Sequence, residues 1–158
     1  MQSFRFERAS PDRLCDIVDL VNMVFMPNHL PARGMQEIFP LFLSKDNACN
    51  LFISIVDDAV VSHIGIYPGT IRIGEENFNV ASMGAVCTHP DFRGKGIATN
   101  LFGYVEQSLK EEGFDLLLVS GGRGLYRRNG CVDLTGFVGA VFSRNNERSH
   151  RRESGKDF

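Results

Sequence analysis

Residues 78–119 change their hydrophobic period twice, and this change constrains the fold more than any other feature of the sequence. Apolar and polar side chains alternate along Phe78–Cys87, as in a half-buried strand. An apolar helical stripe follows from about Gly96 to Glu112, and Phe114–Val119 is then almost continuously apolar, as in a central strand. A helix that connects two neighbouring strands in this way makes them parallel. The sequence therefore predicts a strand–helix–strand crossover.

The sequence before this crossover predicts two helices and an antiparallel meander. A strand at Ser3–Arg8 precedes a helix that starts at Ser10 and Pro11 and carries an apolar stripe to Phe25. Met35–Leu43 is predicted as a shorter helix, interrupted near Pro40, of the kind that forms a mobile flap. The meander has predicted strands at Leu51–Val56, Val60–Tyr67, Thr70–Ile73 and Phe78–Cys87, with hairpin turns at Asp57–Asp58 and Gly74–Asn77.

The last part of the chain completes the predicted fold. Leu125–Arg128 indicates a helical turn, Val132–Ser143 one or two closing strands, and Arg144–Phe158 a polar, flexible tail. We expect one domain at residues 1–143, because 158 residues with 43% hydrophobic content suffice for a single core. The predicted class is α+β, with a mixed, mostly antiparallel, splayed sheet between helices in an α/β three-layer arrangement.

Charge and cysteine content exclude several classes of protein. A formal net charge of −2 provides no overall basic surface for nucleic acid or an anionic membrane. Cys15, Cys49, Cys87 and Cys131 are widely spaced, without a C-x-x-C pair or a histidine at ligand spacing, so we expect reduced thiols and no metal. Neither a leader sequence nor an apolar stretch of about 18 residues is visible, so the expected location is cytoplasmic.

The turn between the meander and the long helix has the composition of an anion site. It reads RGKGIA from Arg93 to Ala98, and the helix begins inside it. N–H groups in the first turn of a helix have no intrahelical partner, and the helix dipole attracts negative charge there. The turn does not match a P-loop, since no Ser or Thr follows Lys95, and it lacks the third glycine of a dinucleotide fingerprint. An ordinary helix start stays open as an alternative.

Two motifs in this chain resemble the GCN5-related N-acetyltransferases, the GNAT family. Arg93, Gly96 and Ala98 match its [Q/R]-x-x-G-x-[G/A] signature, after the strand end VCTHP. The sequence YRRNGC, beginning at Tyr126, is similar to the family's Y-x-x-x-G-F pattern, with Cys131 where phenylalanine is usual. The sequence GAVCTHPDFRGKG, followed by SGGRGLYRRNG, resembles the sequences of the branch that includes the Eis-type acetyltransferases.

The resemblance implies an enzyme that transfers an acetyl group directly from acetyl-CoA to the primary amine of a small molecule or peptide. It implies that Tyr126 donates a proton to the departing thiolate. It also implies that Ser120 and Gly121 flank the acyl end of the cofactor, and that the strand end pairs with the pantetheine arm as an added strand would. The implied cofactor-binding residues are Val86, Cys87, Thr88, Arg93, Gly94, Lys95, Gly96, Ile97, Ala98, Ser120 and Gly121.

Several alternatives stay open at this stage. His63, on a predicted meander strand, is a candidate general base, and water is the other. A non-catalytic acyl-CoA-binding sensor or regulatory domain of the same fold is the main alternative to an enzyme. The basic tail from Arg144 to Lys156 contains no aromatic residue, which disfavours a nucleic-acid module. The identity of the acceptor amine, the length of the acyl group and the formation of a homodimer also stay open.

Overall fold

The computed structural model describes residues 4–26, 34–122 and 124–133, and five strands form one mixed sheet in chain order. Neighbours from β1 to β4 are antiparallel, whereas β4 and β5 are parallel and joined through a helix. This confirms the predicted α+β class and the predicted crossover. The strands are β1 (Arg5–Arg8), β2 (Leu51–Val56), β3 (Ala59–Ile73), β4 (Glu76–Thr88) and β5 (Leu116–Val119).

Four α-helices accompany the sheet in the described part of the chain. They are α1 (Leu14–Phe25), α2 (Met35–Ile38), α3 (Ile97–Glu111) and α4 (Gly124–Arg128). The predicted helix at Met35–Leu43 is too long, because Phe39 leaves the helical region with φ −124° and ψ 63° directly before Pro40. None of these helices is long and apolar enough to cross a membrane.

The two faces of the sheet carry separate apolar clusters. On one face Phe52, Ile64 and Met83 pack with α3 and with Tyr126 of α4. On the other face Leu51 and Ile53 pack with α1, as strand alternation requires. Every residue of β2 is buried, so this strand is covered on both faces and lies in the middle layer of a three-layer arrangement.

The predicted strands Val60–Tyr67 and Thr70–Ile73 are wrong as separate elements, because they form one continuous strand, β3. Pro68 lies between the two predicted strands. β2 begins at Leu51, opposite Gly65, so at Pro68 the strand β3 no longer has β2 beside it and needs no N–H group for pairing on that side. The following turn is also shorter than predicted, since Ile73 already pairs with Glu76. The predicted closing strands and tail lie outside the described residues from position 134 onward.

Candidate functional site

The sheet opens where β4 continues past its partner β5. The two strands pair only from Val80 opposite Leu116 to Met83 opposite Val119, whereas β4 runs on to Thr88. On its other side β4 contains a bulge: His63 faces Cys87 but Gly65 faces Gly84, so β4 has one extra residue. Ala85, inside the bulge, has a left-handed backbone with φ +50°. These features produce the predicted splay.

His63 contacts this bulge from β3. Its Nδ1 atom lies 2.8 Å from the carbonyl oxygen of Ala85. The side chain is completely buried, and burial lowers its pKa from 6.5 to about 4, against the opposite effect of the bond to Ala85. Because the ring is inaccessible, it cannot reach a substrate in this conformation as a general base. The geometry gives it a structural contact with β4 instead.

The glycine turn leads directly into α3. Gly94 and Gly96 have φ +74° and +75°, and Gly96 is the N-cap. Among the described residues no side chain caps this helix end. The first backbone hydrogen bond of the helix runs from the N–H of Asn100 to the oxygen of Gly96, at 3.0 Å. The N–H groups at positions 97–99 therefore precede the helical ladder and can bind an anion.

A cavity of about 640 Å³ lies between the end of β4, the glycine turn and the start of α3. Eight of the eleven predicted cofactor residues line it: Val86, Cys87, Thr88, Arg93, Gly94, Gly96, Ile97 and Ala98. Lys95 does not line the cavity. Its Nζ atom lies 4.8 Å from the centre of the Phe92 ring. Cys87 is only 3% exposed and packs in the cluster under α1, as a small apolar residue would.

Sequence reasoning missed five residues that line the same cavity: Val24, Phe92, Thr99, Leu125 and Arg128. Arg128 is the informative one, because it adds a second guanidinium to that of Arg93. The Arg93 side chain is held back against the strand, since its Nε donates to the Thr88 carbonyl at 3.1 Å. The sequence shows two arginines directly after Tyr126, but only the structure shows that the second of them lines this cavity.

Ser120, Gly121 and Tyr126 lie away from this cavity. They line a second cavity, of about 1000 Å³, between β5, α3 and α4. Tyr126 is 7% exposed and belongs to the same buried cluster as Met83 and Val86. Its neighbours on α4, Leu125 and Arg128, line the first cavity, so this short helix contributes to both.

The segment predicted as a mobile flap is attached to the sheet. The Nδ2 atom of Asn47 donates to the carbonyl of Phe42 at 2.9 Å and to that of Ile66 at 3.0 Å. Asn47 thus bonds to β3 directly beyond the last residue that pairs with β2. Phe39 and Tyr67 are 51% and 40% exposed.

The fold and the site define an α+β protein whose splayed sheet stands beside a glycine turn and the start of a helix. The family described as acetyltransferase (GNAT) domain matches residues 5–132. This match covers most of the chain, which therefore belongs to the GNAT acetyltransferase family. The resemblance to the Eis-type branch stays a prediction. Among the described residues, no group of three or more His, Cys, Asp or Glu side chains could hold a metal ion.

Solved structures of acetyltransferases share this fold. A GCN5-related N-acetyltransferase from Kribbella flavida has a TM-score of 0.69 at 19% identity, over 82% of this chain and 33% of its own. The present chain thus spans about a third of that protein. A GNAT family acetyltransferase from Brucella melitensis, in complex with acetyl-CoA, has a TM-score of 0.67 at 22% identity, over 82% and 83%.

A third structure is an aminoglycoside acetyltransferase from an uncultured soil metagenomic sample, in complex with sisomicin. It has a TM-score of 0.65 at 14% identity, over 89% of this chain and 95% of its own. No curated protein sequence matches the chain significantly. At these identities the likeness shows the fold, and acceptor chemistry has to be argued from the site.

Proposed function

We propose that the protein is an N-acetyltransferase that moves an acetyl group from acetyl-CoA to a primary amine in a ternary complex. The observation that carries the proposal is the cavity of about 640 Å³ at the end of β4. Its wall combines N–H donors from a helix start with two guanidinium groups, which is a chemistry suited to a diphosphate. Membership of the GNAT family supports acyltransferase activity.

We place two parts of acetyl-CoA in this cavity. We place the pyrophosphate at the amides of residues 97–99, with Arg128 contributing charge from α4. The pantetheine arm then runs along the backbone of Val86–Thr88, which lies on the cavity wall. The Brucella relative, which was solved with acetyl-CoA, supports this choice of cosubstrate.

The bound cosubstrate would supply an activated thioester. In the transfer the amine nitrogen forms a bond to the carbonyl carbon, the carbon–sulfur bond breaks, and the thiolate requires a proton. We assign that proton to the hydroxyl of Tyr126, which lines the second cavity and belongs to the same buried cluster as Val86, a residue of the first cavity's wall. The amine reacts in its neutral form, the proton that its nitrogen loses on forming the amide passes to water, and water returns a proton to the Tyr126 oxygen, so we assign no side chain as general base.

For the acceptor we propose a primary amine of a small molecule or peptide. The exposed rings of Phe39 and Tyr67 are our candidates for contact with its carbon skeleton. The aminoglycoside acetyltransferase with sisomicin supports testing amino sugars among the first candidates.

A free-thiol release assay with acetyl-CoA tests the proposal on polyamines, amino acids, aminoglycosides and lysine peptides. Calorimetry measures acetyl-CoA binding in parallel. We expect saturable binding, thiol release with at least one class of amine, and an acetylated product by mass spectrometry. Binding without thiol release from any of these amines would support the acyl-CoA sensor instead. No binding of acetyl-CoA would contradict both functions.

A further inference from the structure

We propose that His63 is a positioning residue for the acetyl-CoA site: its hydrogen bond to Ala85 holds the β4 bulge, and the bulge sets the cavity wall at Val86–Thr88. The inference rests on the proposed function and deepens it. It depends on three observations, namely the left-handed backbone of Ala85, the direction of the His63 hydrogen bond and the phase of the side chains that follow the bulge.

The bulge needs an external contact to hold it. A left-handed backbone is unfavourable for a residue with a Cβ atom, and Ala85 has φ +50° without being a glycine. The Nδ1 atom of His63, at 2.8 Å, provides a bond to the Ala85 carbonyl inside the protein. Removal of that bond would leave a polar group unsatisfied in a poorly hydrated place.

The direction of this bond determines the tautomer of His63. A carbonyl oxygen can only accept, so Nδ1 must carry the hydrogen and donate it. A neutral ring then has an unprotonated Nε2, and among the described residues this buried atom has no hydrogen-bond partner. The histidine is thus a neutral donor at one ring nitrogen, a role that leucine cannot fill.

The bulge changes which side chains face which layer. Ala81 and Met83 belong to the cluster under α3, and regular alternation would place Ala85 and Cys87 there as well. Because of the extra residue, Val86 joins that cluster and Cys87 packs under α1. Loss of the bulge would therefore turn the strand end over by one residue and rebuild the cavity wall.

Two further bonds anchor the same strand end. The hydroxyl of Ser62 donates to the Cys87 carbonyl at 2.9 Å, and Arg93 donates to the Thr88 carbonyl at 3.1 Å. Together with His63 they hold three carbonyls within four residues. His63 is the one of the three that acts at the bulge itself.

The test compares acetyl-CoA affinity and the free energy of unfolding in His63 variants. His63→Leu should weaken binding about three- to tenfold, the usual worth of one buried hydrogen bond. His63→Asn should bind nearly as wild type, because its amide nitrogen can occupy the place of Nδ1 and donate. Adding Ala85→Gly to His63→Leu should restore affinity, since glycine adopts a positive φ without strain.

Ile53→Ala is the matched control. Ile53 is the cross-strand neighbour of His63 on β2 and is equally buried, but its side chain cannot donate a hydrogen bond. It should lower stability and leave affinity unchanged. Equal affinity of wild type and His63→Leu would overturn the role of His63 alone, whereas a wild type that does not bind acetyl-CoA would overturn the proposed function with it.

A measurement on the wild-type protein covers the case in which His63→Leu does not fold. Nitrogen NMR of the imidazole ring should find Nδ1 protonated and Nε2 unprotonated, with and without acetyl-CoA. A ring protonated at Nε2 instead would mean that the bond to Ala85 is absent, and the proposal would fail.

Discussion

The ring of Phe42 lies directly over Gly65, with its Cζ atom 2.7 Å from the point where a Cβ of residue 65 would stand. Gly84, the residue opposite Gly65 on β4, has the same atom 3.1 Å from its own Cβ position. The Cε1 atom of His63 is also 3.1 Å from the Gly65 position. Two paired glycines therefore create a flat area of sheet on which Phe42 packs beside His63.

Gly65→Ala should lower the free energy of unfolding by about 1–3 kcal/mol, because the new methyl group overlaps the Phe42 ring. Gly84→Ala should cost less, since its nearest contact is longer. Gly69→Ala on the same strand is the control, because nothing lies within 4 Å of its Cβ position. Urea denaturation measures all three, and recovery in Gly65→Ala/Phe42→Leu would identify the ring as the cause. An unchanged Gly65→Ala protein would show that the ring can move at no cost.

The free energy of unfolding should decrease as the pH falls from about 6.5 to about 4, because of His63. Burial lowers its pKa to about 4 in the folded protein, so the unfolded chain binds more protons in this window. Between pH 7 and pH 5 this group should remove about 2 kcal/mol of the free energy of unfolding.

His63→Leu should lack this contribution, so its stability should fall less over the same pH range. Denaturation of both proteins at each pH measures the difference, and carboxylates common to both cancel. Parallel pH dependences in wild type and His63→Leu would contradict a buried neutral histidine.

The order and type of most elements could be predicted from the sequence, because hydrophobic period reports burial directly. The bulge could not be predicted: alternation in β4 groups Met83 with Ala85, whereas the structure groups Met83 with Val86. A left-handed alanine has no sequence signature, since its conformation is held by a residue 22 positions earlier, His63. The sequence also could not predict which arginine of α4 lines the first cavity, because Arg127 and Arg128 differ only in their position around the helix.

Gly96→Val should weaken acetyl-CoA binding by at least about tenfold. A β-branched residue cannot adopt φ +75° without strain, so the backbone shift would move the N–H groups at the start of α3. Gly74→Val is the control, since Gly74 has a similar φ of +63° in the distant β3–β4 turn. Calorimetry should show reduced affinity for the first variant only. Undiminished binding by Gly96→Val would place the pyrophosphate elsewhere.

Arg128→Gln should weaken acetyl-CoA binding about three- to tenfold, with a smaller loss at high salt, because it removes a phosphate-facing charge. Arg127→Gln is the matched control. Arg127 is adjacent and exposed, lines the second cavity but not the first, and pairs with Asp133 at 2.9 Å. If both substitutions weakened binding equally at low and at high salt, Arg128 would contribute only general positive charge and no specific contact.

Tyr126→Phe should reduce turnover by about a hundredfold, the lower range for loss of a general acid, while acetyl-CoA affinity stays nearly intact. The ring still fills its place among Met83 and Val86, and the substitution removes the hydroxyl group. Tyr104→Phe is the control, since Tyr104 on α3 packs its ring edge-on against Phe52, 6.0 Å between centroids. Steady-state thiol release and calorimetry separate the two effects. A Tyr126→Phe enzyme with normal turnover would remove this hydroxyl from the reaction, and a loss of affinity equal to the loss of turnover would make it a packing residue.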